Sequence, residues 1–213
     1  MTARSSASFA RGSAKFKAHP CVLVLCEDTK SSKTYLEDAS KYFRATAQVK
    51  IAHPGRTDPL GIVQAGVKEQ SSYDAVYCVV DRDSHANWAQ AIDLARGHPQ
   101  IRMIRSFPCF EFWLLLHFGY TRAGYVRAGA LSAADQVVRD LKQKDGMQDY
   151  AKGSIKGLFD KLRGEDEVML NAAIGHGDRT LHDAENEGNP NPSTEIQSLI
   201  RELRKLGSPE RVG

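Results

Sequence analysis

Three acidic residues come directly after apolar runs of the kind that form buried strands. Glu27 follows the run at residues 21–26, and Asp81 and Asp83 follow the run at residues 73–80. Ligands of open parallel α/β sheets bind outside the carboxyl ends of the strands, so these carboxylates should converge if the two strands are neighbours. Asp81 and Asp83 are two residues apart, and in extended geometry their side chains point to the same side.

A cluster of carboxylates repels itself unless a hard divalent cation binds among its oxygens. Mg²⁺ or Mn²⁺ held by one or two carboxylates keeps open positions for water and for a substrate phosphate. The pattern therefore predicts a metal site for phosphodiester or phosphoanhydride chemistry, with Glu27, Asp81 and Asp83 as ligands. The competing interpretation is that acidic residues are common wherever strands run into solvent.

The elements that must position these residues alternate along the first half of the chain. Strands are predicted at residues 21–26, 48–52, 73–80 and 101–104, with helical spacing of apolar residues between them. This order predicts an α/β protein with a parallel sheet of about four strands flanked by helices.

The second half of the chain is predicted to be helical. A turn opens into a buried helix at about 107–118, and the later helices are expected at about 132–143, 154–163, 165–174 and 193–206. A polar segment at 175–192 predicts a loop. Thr194 with Gln197 matches a capping box for the last helix.

Length and composition fit one globular domain with an appendage. The chain has 213 residues, of which 41% are hydrophobic and 26% charged. We divide it into a basic flexible arm at 1–20, an α/β core at 21–118, and a C-terminal helical extension at 119–213 that packs on the core.

Composition also bounds the compartment and the partners. No apolar run is long enough to span a membrane and no signal peptide is recognisable, so we expect a cytoplasmic protein. The four cysteines lack zinc spacing and fit buried free thiols. The net charge of +3 does not by itself indicate nucleic acid. The acid-free arm could attract phosphates or remain a solvated tail.

Glu111 lies in an aromatic and aliphatic run. A carboxylate in such surroundings must be paired, bound to a metal, or exposed on the helix surface. A role in the site and a structural ion pair with Arg105 or Arg102 both stay open.

Two residues beside the acid pair have alternative interpretations. Arg82 either contacts the substrate backbone or braces an acidic neighbour. His85 is either structural or a general base, and its closeness in sequence to the acid pair makes it a better base candidate than His117.

These residues also carry a resemblance to the RloB family, over about residues 21–206. The motifs that look like the family are Cys26-Glu27-Asp28-x2-Ser31-Ser32-x2-Tyr35, Tyr73-Asp74-x2-Tyr77-Cys78-Val79-Val80-Asp81-Arg82-Asp83-x-His85, Ser106-x-Pro108-Cys109-Phe110-Glu111-x-Trp113-Leu114-Leu115-Leu116-His117-Phe118, Tyr150-x-Lys152 and Asn191-Pro192-Ser193-Thr194.

The resemblance implies a Toprim-like fold and Mg²⁺ chemistry. If the functional residues of the family are carried over to this chain, Glu27 is the catalytic glutamate, and Asp81 and Asp83 bind the metal. Glu111 and Lys152 complete the expected catalytic set, with Lys152 neutralising a phosphate in the transition state.

The resemblance further implies a role in bacterial anti-phage defence by abortive infection. An ABC-type ATPase is the expected partner, and the expected reaction is cleavage of RNA, tRNA or DNA. The alternative is a non-catalytic sensor or regulatory subunit of that ATPase. Whether the protein forms a homo-oligomer stays open.

The first motif departs from the family pattern, which often has Glu-Gly followed by Thr-Glu. This chain has Glu27-Asp28 and Ser31-Ser32 instead. Asp28 could enlarge the metal site or merely face solvent. Ser31 or Ser32 is predicted to cap the first helix.

Overall fold

The fold is an α/β arrangement, given by a computed structural model that describes residues 20–82 and 85–208. The predicted arm at 1–20 lies outside the described residues, apart from Pro20. The strands are β1 (Val22–Cys26), β2 (Val49–Ala52), β3 (Ala75–Asp81), β4 (Ile101–Phe107) and β5 (Ser193–Thr194). The α-helices are α1 (Ser32–Tyr42), α2 (Pro59–Glu69), α3 (Trp88–Arg96), α4 (Glu111–Leu115), α5 (Ala133–Leu141), α6 (Leu158–Arg163), α7 (Val168–Glu187) and α8 (Ile196–Leu206).

The strands form a sheet in the order β2-β1-β3-β4-β5. The first four run parallel, which confirms the predicted α/β class and the four parallel strands. β1 and β3 are direct neighbours, with Cys26 opposite Val79. Residues that follow these two strands therefore emerge side by side at the carboxyl edge of the sheet.

Helices cover both faces of the sheet. Leu23 and Leu25 face α2 and α3, whereas Val22 and Val24 face α1 and the C-terminal helices. Every residue of β1 is buried, which is why its sequence is continuously apolar rather than alternating.

A fifth strand replaces the predicted start of the last helix. Thr194 and Ser193 pair antiparallel with β4, and the Thr194 hydroxyl lies 3.1 Å from that of Ser106. The predicted capping box of Thr194 with Gln197 is wrong, because Glu195 precedes α8 and neither polar atom of the Gln197 side chain has a partner. The Thr194 hydroxyl does accept from the N–H of Ile196, the first residue of α8, at 3.2 Å. The backbone N–H of Glu195 donates instead to the carbonyl of Arg105, at 2.9 Å, so strand pairing competes successfully with helix capping.

The predicted loop at 175–192 is also wrong over most of its length. Residues 168–187 form one helix whose buried positions recur every three or four residues, at Leu170, Ala173, Ile174, Gly177, Thr180 and Ala184. Gly177 serves a close contact, since a Cβ there would lie 2.9 Å from the Gln197 side chain. The glycines suggested a break in the helix, but packing against α8 overrides their low helix propensity.

The neighbouring helices are shorter than predicted. The segment predicted at 154–163 is helical only from Leu158, after Gly157 with a φ of +65°. The one predicted at about 107–118 is a helix only over Glu111–Leu115.

An aromatic cluster attaches α6 to α1. The ring of Phe159 is fully buried, with its centroid 5.3 Å from that of Tyr35 and 5.9 Å from that of Phe43. Tyr42 completes the cluster at 5.5 Å. Apolar contact of this kind joins the C-terminal helices to the α1 side of the sheet in one core.

Two further sequence expectations concern the cysteines and membrane-spanning helices. Cys26, Cys78 and Cys109 are buried free thiols, as predicted, whereas Cys21 is exposed. Among the described residues, no helix combines the length and apolar character needed to cross a membrane.

We expect Phe159→Ala to lower the free energy of unfolding by about 3–5 kcal/mol, since it removes a fully buried ring and leaves a cavity. Chemical denaturation measures this change. Val168→Ala is the control: Val168 is 67% exposed, so its truncation should change stability by no more than about 0.5 kcal/mol. Equal effects of the two substitutions would contradict the packing of α6 on α1.

Candidate acid site at the sheet edge

Glu27 and Asp81 meet at the carboxyl edge of the sheet. The backbone N–H of Glu27 continues the ladder by donating to the carbonyl of Val79, at 3.2 Å. The carboxylate oxygen Oε2 of Glu27 accepts a hydrogen bond from the backbone N–H of Asp81, at 2.9 Å. The structure thus brings together two of the predicted metal ligands, while Asp83 lies outside the described residues.

Glu27 is partly buried and has a histidine neighbour. Burial raises the pKa of the Glu27 carboxyl, and the Asp81 N–H and the charge of His85 oppose that shift. The Nε2 atom of His85 lies 3.5 Å from Oε1 of Glu27. The charge of His85 also helps to lower the pKa of Asp58, behind the larger effect of the hydrogen bond from the Gly61 N–H. His85 is therefore close to two carboxylates.

Asp81 has acidic neighbours and a basic neighbour. Burial raises its pKa well above the usual value, and the charges of Glu111 and Glu27 raise it further. Lys152 acts in the opposite direction. The negative charge around Asp81 is thus only partly compensated by the protein's own cation.

Glu111 begins α4 and is fully buried. Its Oε1 accepts a hydrogen bond from the Tyr150 hydroxyl at 3.1 Å and lies 3.4 Å from the ammonium of Lys152. Its other oxygen, Oε2, has no hydrogen-bond partner. One buried carboxylate oxygen at this edge therefore has unused acceptor capacity.

The proposed partners of Glu111, Arg105 and Arg102, are wrong. Arg105 is bound to Glu195, with Nε donating to Oε2 at 2.9 Å, and Arg102 donates to the Tyr77 hydroxyl at 3.3 Å. Both arginines lie on β4, and each is engaged by a side chain of a neighbouring element.

Lys152 reaches the site from the segment between α5 and α6. Its side chain is 47% exposed, so its ammonium touches both Glu111 and solvent. Partial burial opposes the charged form, but the charges of Glu111 and Asp81 outweigh it and raise the pKa of Lys152. The ammonium therefore stays charged at neutral pH and is accessible to an anionic ligand.

Asp28 has a structural task that the sequence did not reveal. Its carboxylate accepts backbone N–H bonds from Lys30 at 2.7 Å and Ser32 at 3.0 Å, and a further one from Ser31. Burial favours the neutral form, yet these bonds and the Ser32 hydroxyl lower the pKa of Asp28. Asp28 thus caps α1, and the predicted side-chain cap by Ser31 or Ser32 is wrong.

Tyr150 links the cap of α1 to the acid site. In the sequence, Tyr150 is recognised only as part of a motif that resembles the family, and no role is predicted for it. Its buried hydroxyl lies 3.2 Å from the Ser31 hydroxyl while donating to Glu111. Its sequence position, far from both partners, gives no sign of this contact.

The other two candidates have structural partners. His117 is buried, its pKa is lowered to about 4 by burial, and its ring nitrogens contact the Tyr35 hydroxyl and the Trp113 carbonyl, each at 3.1 Å. The guanidinium of Arg82 lies 5.1 Å from the centre of the Trp88 ring. His117 is a structural histidine.

The donor set of the edge fits a hard divalent cation. Glu27 and Asp81 supply the one or two carboxylates by which proteins usually hold Mg²⁺, whose other ligands are water and substrate phosphate. In the described part of the chain no group of three or more His, Cys, Asp or Glu residues is arranged to hold a metal. Asp83, the third predicted ligand, is not among the residues searched.

Comparison with protein families gives a match over most of the chain. The family model described as RloB-like protein matches residues 22–203, so the chain belongs to the RloB-like family. No curated protein and no solved structure matches the chain.

We expect Asp81→Asn to raise the melting temperature of the metal-free protein. Because folding raises the pKa of Asp81, stability falls as the pH rises from the unfolded pKa through the folded one, and the loss persists at neutral pH. The amide removes this cost, and each kcal/mol gained adds about 2–4 °C in a chain of this size.

Thermal unfolding in EDTA at neutral pH measures the effect. Asp93→Asn, at an exposed position on α3, is the matched control and should change little. A melting temperature that Asp81→Asn lowers or leaves unchanged would show that the charge at this edge is not destabilising.

Proposed function

We propose that this RloB-like protein is a metal-dependent nuclease that cleaves nucleic-acid phosphodiesters at the Glu27–Asp81 edge. The supporting observation is that the Glu27 carboxylate accepts from the Asp81 N–H where β1 and β3 end, next to the buried Glu111 and its Lys152 partner. A partly buried carboxylate cluster of this kind is costly without a cation, and perturbed carboxylates are typical of functional sites.

Glu27 and Asp81, joined by Asp83, would hold Mg²⁺ or Mn²⁺. When bound, such an ion polarises a phosphoryl oxygen and lowers the pKa of a coordinated water. Glu27 then acts as metal ligand or as general acid or base, and the Asp81 N–H fixes its orientation.

Lys152 and Glu111 have complementary parts in this proposal. The half-exposed ammonium of Lys152 neutralises charge that develops on the phosphate. Glu111 holds that ammonium beside the acids, and the Tyr150 hydroxyl donates to Glu111 in turn, so Glu111 is a positioning residue rather than one that touches substrate.

The biological setting is proposed from the family resemblance. The nuclease would act in the bacterial cytoplasm as the effector of an anti-phage system, on RNA, tRNA or DNA. An ABC-type ATPase would control the nuclease. The nuclease would act as a monomer or as a homo-oligomer.

One observation favours a second candidate, a non-catalytic sensor or regulatory subunit of the ATPase. Lys152 already supplies a positive charge next to Glu111 and lowers the cost of ionised Asp81. A lysine can take the place of a metal in a site that has lost its chemistry.

We expect Glu27→Gln to lower Mg²⁺-dependent cleavage by about 10²–10⁴-fold, the usual contribution of a general acid or base. Glutamine keeps an oxygen that accepts the Asp81 N–H, so the fold should be retained. Cleavage of labelled RNA, tRNA and DNA measures the loss. Glu37→Gln on the surface of α1 is the control. Unchanged activity of Glu27→Gln would overturn the role of Glu27.

Calorimetric titration with Mg²⁺ and Mn²⁺ separates the two candidates. The nuclease proposal expects heat of binding with the wild type and a melting temperature that rises with cation concentration. Both effects should disappear in Asp81→Asn. Absence of both effects in the wild type would favour the non-catalytic subunit.

A further inference from the structure

A pocket of about 460 Å³ opens next to the acid site. Its lining includes Arg82 and Pro108, which follow β3 and β4, and Val126, Arg127 and Ser132 from later in the chain. Arg82 directly follows Asp81, so the pocket adjoins the carboxyl edge of the sheet. Its volume falls in the range of small-ligand sites, about 300–1,000 Å³.

Basic side chains lie at both the pocket and the acid site. Asp135, in the first turn of α5, has its pKa lowered mainly by hydrogen bonds with Ser132, and then by the charges of Lys152 and Arg127. Both basic residues are therefore near the same carboxylate. Lys152 also contacts Glu111, and Arg127 lines the pocket, so the acid site and the pocket each have a basic residue.

Asn191 and Val126 form part of the pocket wall. The side-chain nitrogen of Asn191 donates to the carbonyl of Tyr125, at 2.5 Å, and ties the segment that carries Val126 and Arg127 to the segment before β5. Val126 is 67% exposed and offers an apolar surface for a flat ring.

We propose that this pocket binds one nucleotide of a single-stranded nucleic acid, next to the phosphate that is cleaved. The inference rests on the proposed function and adds its substrate class. Arg127 contacts a phosphate, and Val126 packs against the face of the base. The chain of the substrate then continues past Lys152 to the Glu27–Asp81 edge.

The size of the pocket selects a single strand over a duplex. A nucleoside fits into it, whereas a stacked duplex is a rod that cannot enter. Bases of single strands can splay out into protein pockets, but a paired base must first be unstacked at a cost of a few kcal/mol. RNA and DNA present the same phosphates and similar base faces here, and they differ at the 2′-hydroxyl.

Fluorescence anisotropy in EDTA tests this binding without cleavage. The full chain is titrated into a labelled single-stranded oligonucleotide and into the duplex of the same sequence, as RNA and as DNA. We expect tighter binding of the single strand. Arg127→Ala should weaken it about tenfold, as the loss of one charge-assisted hydrogen bond does. The salt dependence should become shallower by about 0.7 in the log–log slope.

Two further variants make the result specific. Val126→Glu puts a negative charge on the wall, and since Val126 is 67% exposed, the fold should tolerate it. It should weaken single-strand binding at least as much as Arg127→Ala does. Arg96→Ala, at an exposed position on α3, should bind as the wild type does.

The outcomes separate this inference from the nuclease proposal. Single-strand preference that Val126→Glu and Arg127→Ala abolish supports the pocket, even if no cleavage is found. Three results would overturn it, even if Mg²⁺-dependent cleavage is found. The wild type binds neither the single strand nor the duplex, or it prefers the duplex, or both variants bind the single strand as the wild type does.

Discussion

Repulsion among carboxylates at one edge of the sheet is the constraint on which the site depends. The parallel register of β1 and β3 places Glu27 beside Asp81, and the first turn of α4 adds the buried Glu111. Burial disfavours the charged form of Asp81, and the charges of Glu111 and Glu27 add to this effect, so the pKa of Asp81 is held well above its usual value. Such a cluster is costly to the fold and suited to holding a cation.

The parts that moderate this charge come from distant segments of the chain. Lys152 and Tyr150 lie between α5 and α6, and both contact Glu111. Those segments are held by the apolar core that joins α6 to α1, including the buried ring of Phe159. The helical second half of the chain is therefore part of the site, because it supplies the ammonium group of Lys152 and the hydroxyl of Tyr150 that contact Glu111. It also supplies Arg127 and Asn191 of the neighbouring pocket.

The sequence was informative where burial is nearly complete. The continuous apolar runs predicted β1 and β3, and their alternation with helices predicted the parallel sheet; the placement of Glu27 and Asp81 after these runs follows from that topology.

Prediction from the sequence failed where contacts between distant segments of the chain determine the local structure. β5 has only two residues and exists because β4 offers a free edge. α7 crosses two glycines because its other positions pack on α8. Asp28 caps a helix through backbone groups, and the partner of Glu111 is remote in sequence, so neither interaction leaves a periodic signal.

The most direct test of this account is anomalous scattering from a crystal of the full chain grown with Mn²⁺. The account predicts a strong anomalous peak at coordination distance from carboxylate oxygens of both Glu27 and Asp81. A crystal with no peak at this edge under saturating Mn²⁺, or with peaks only elsewhere on the molecule, would contradict it.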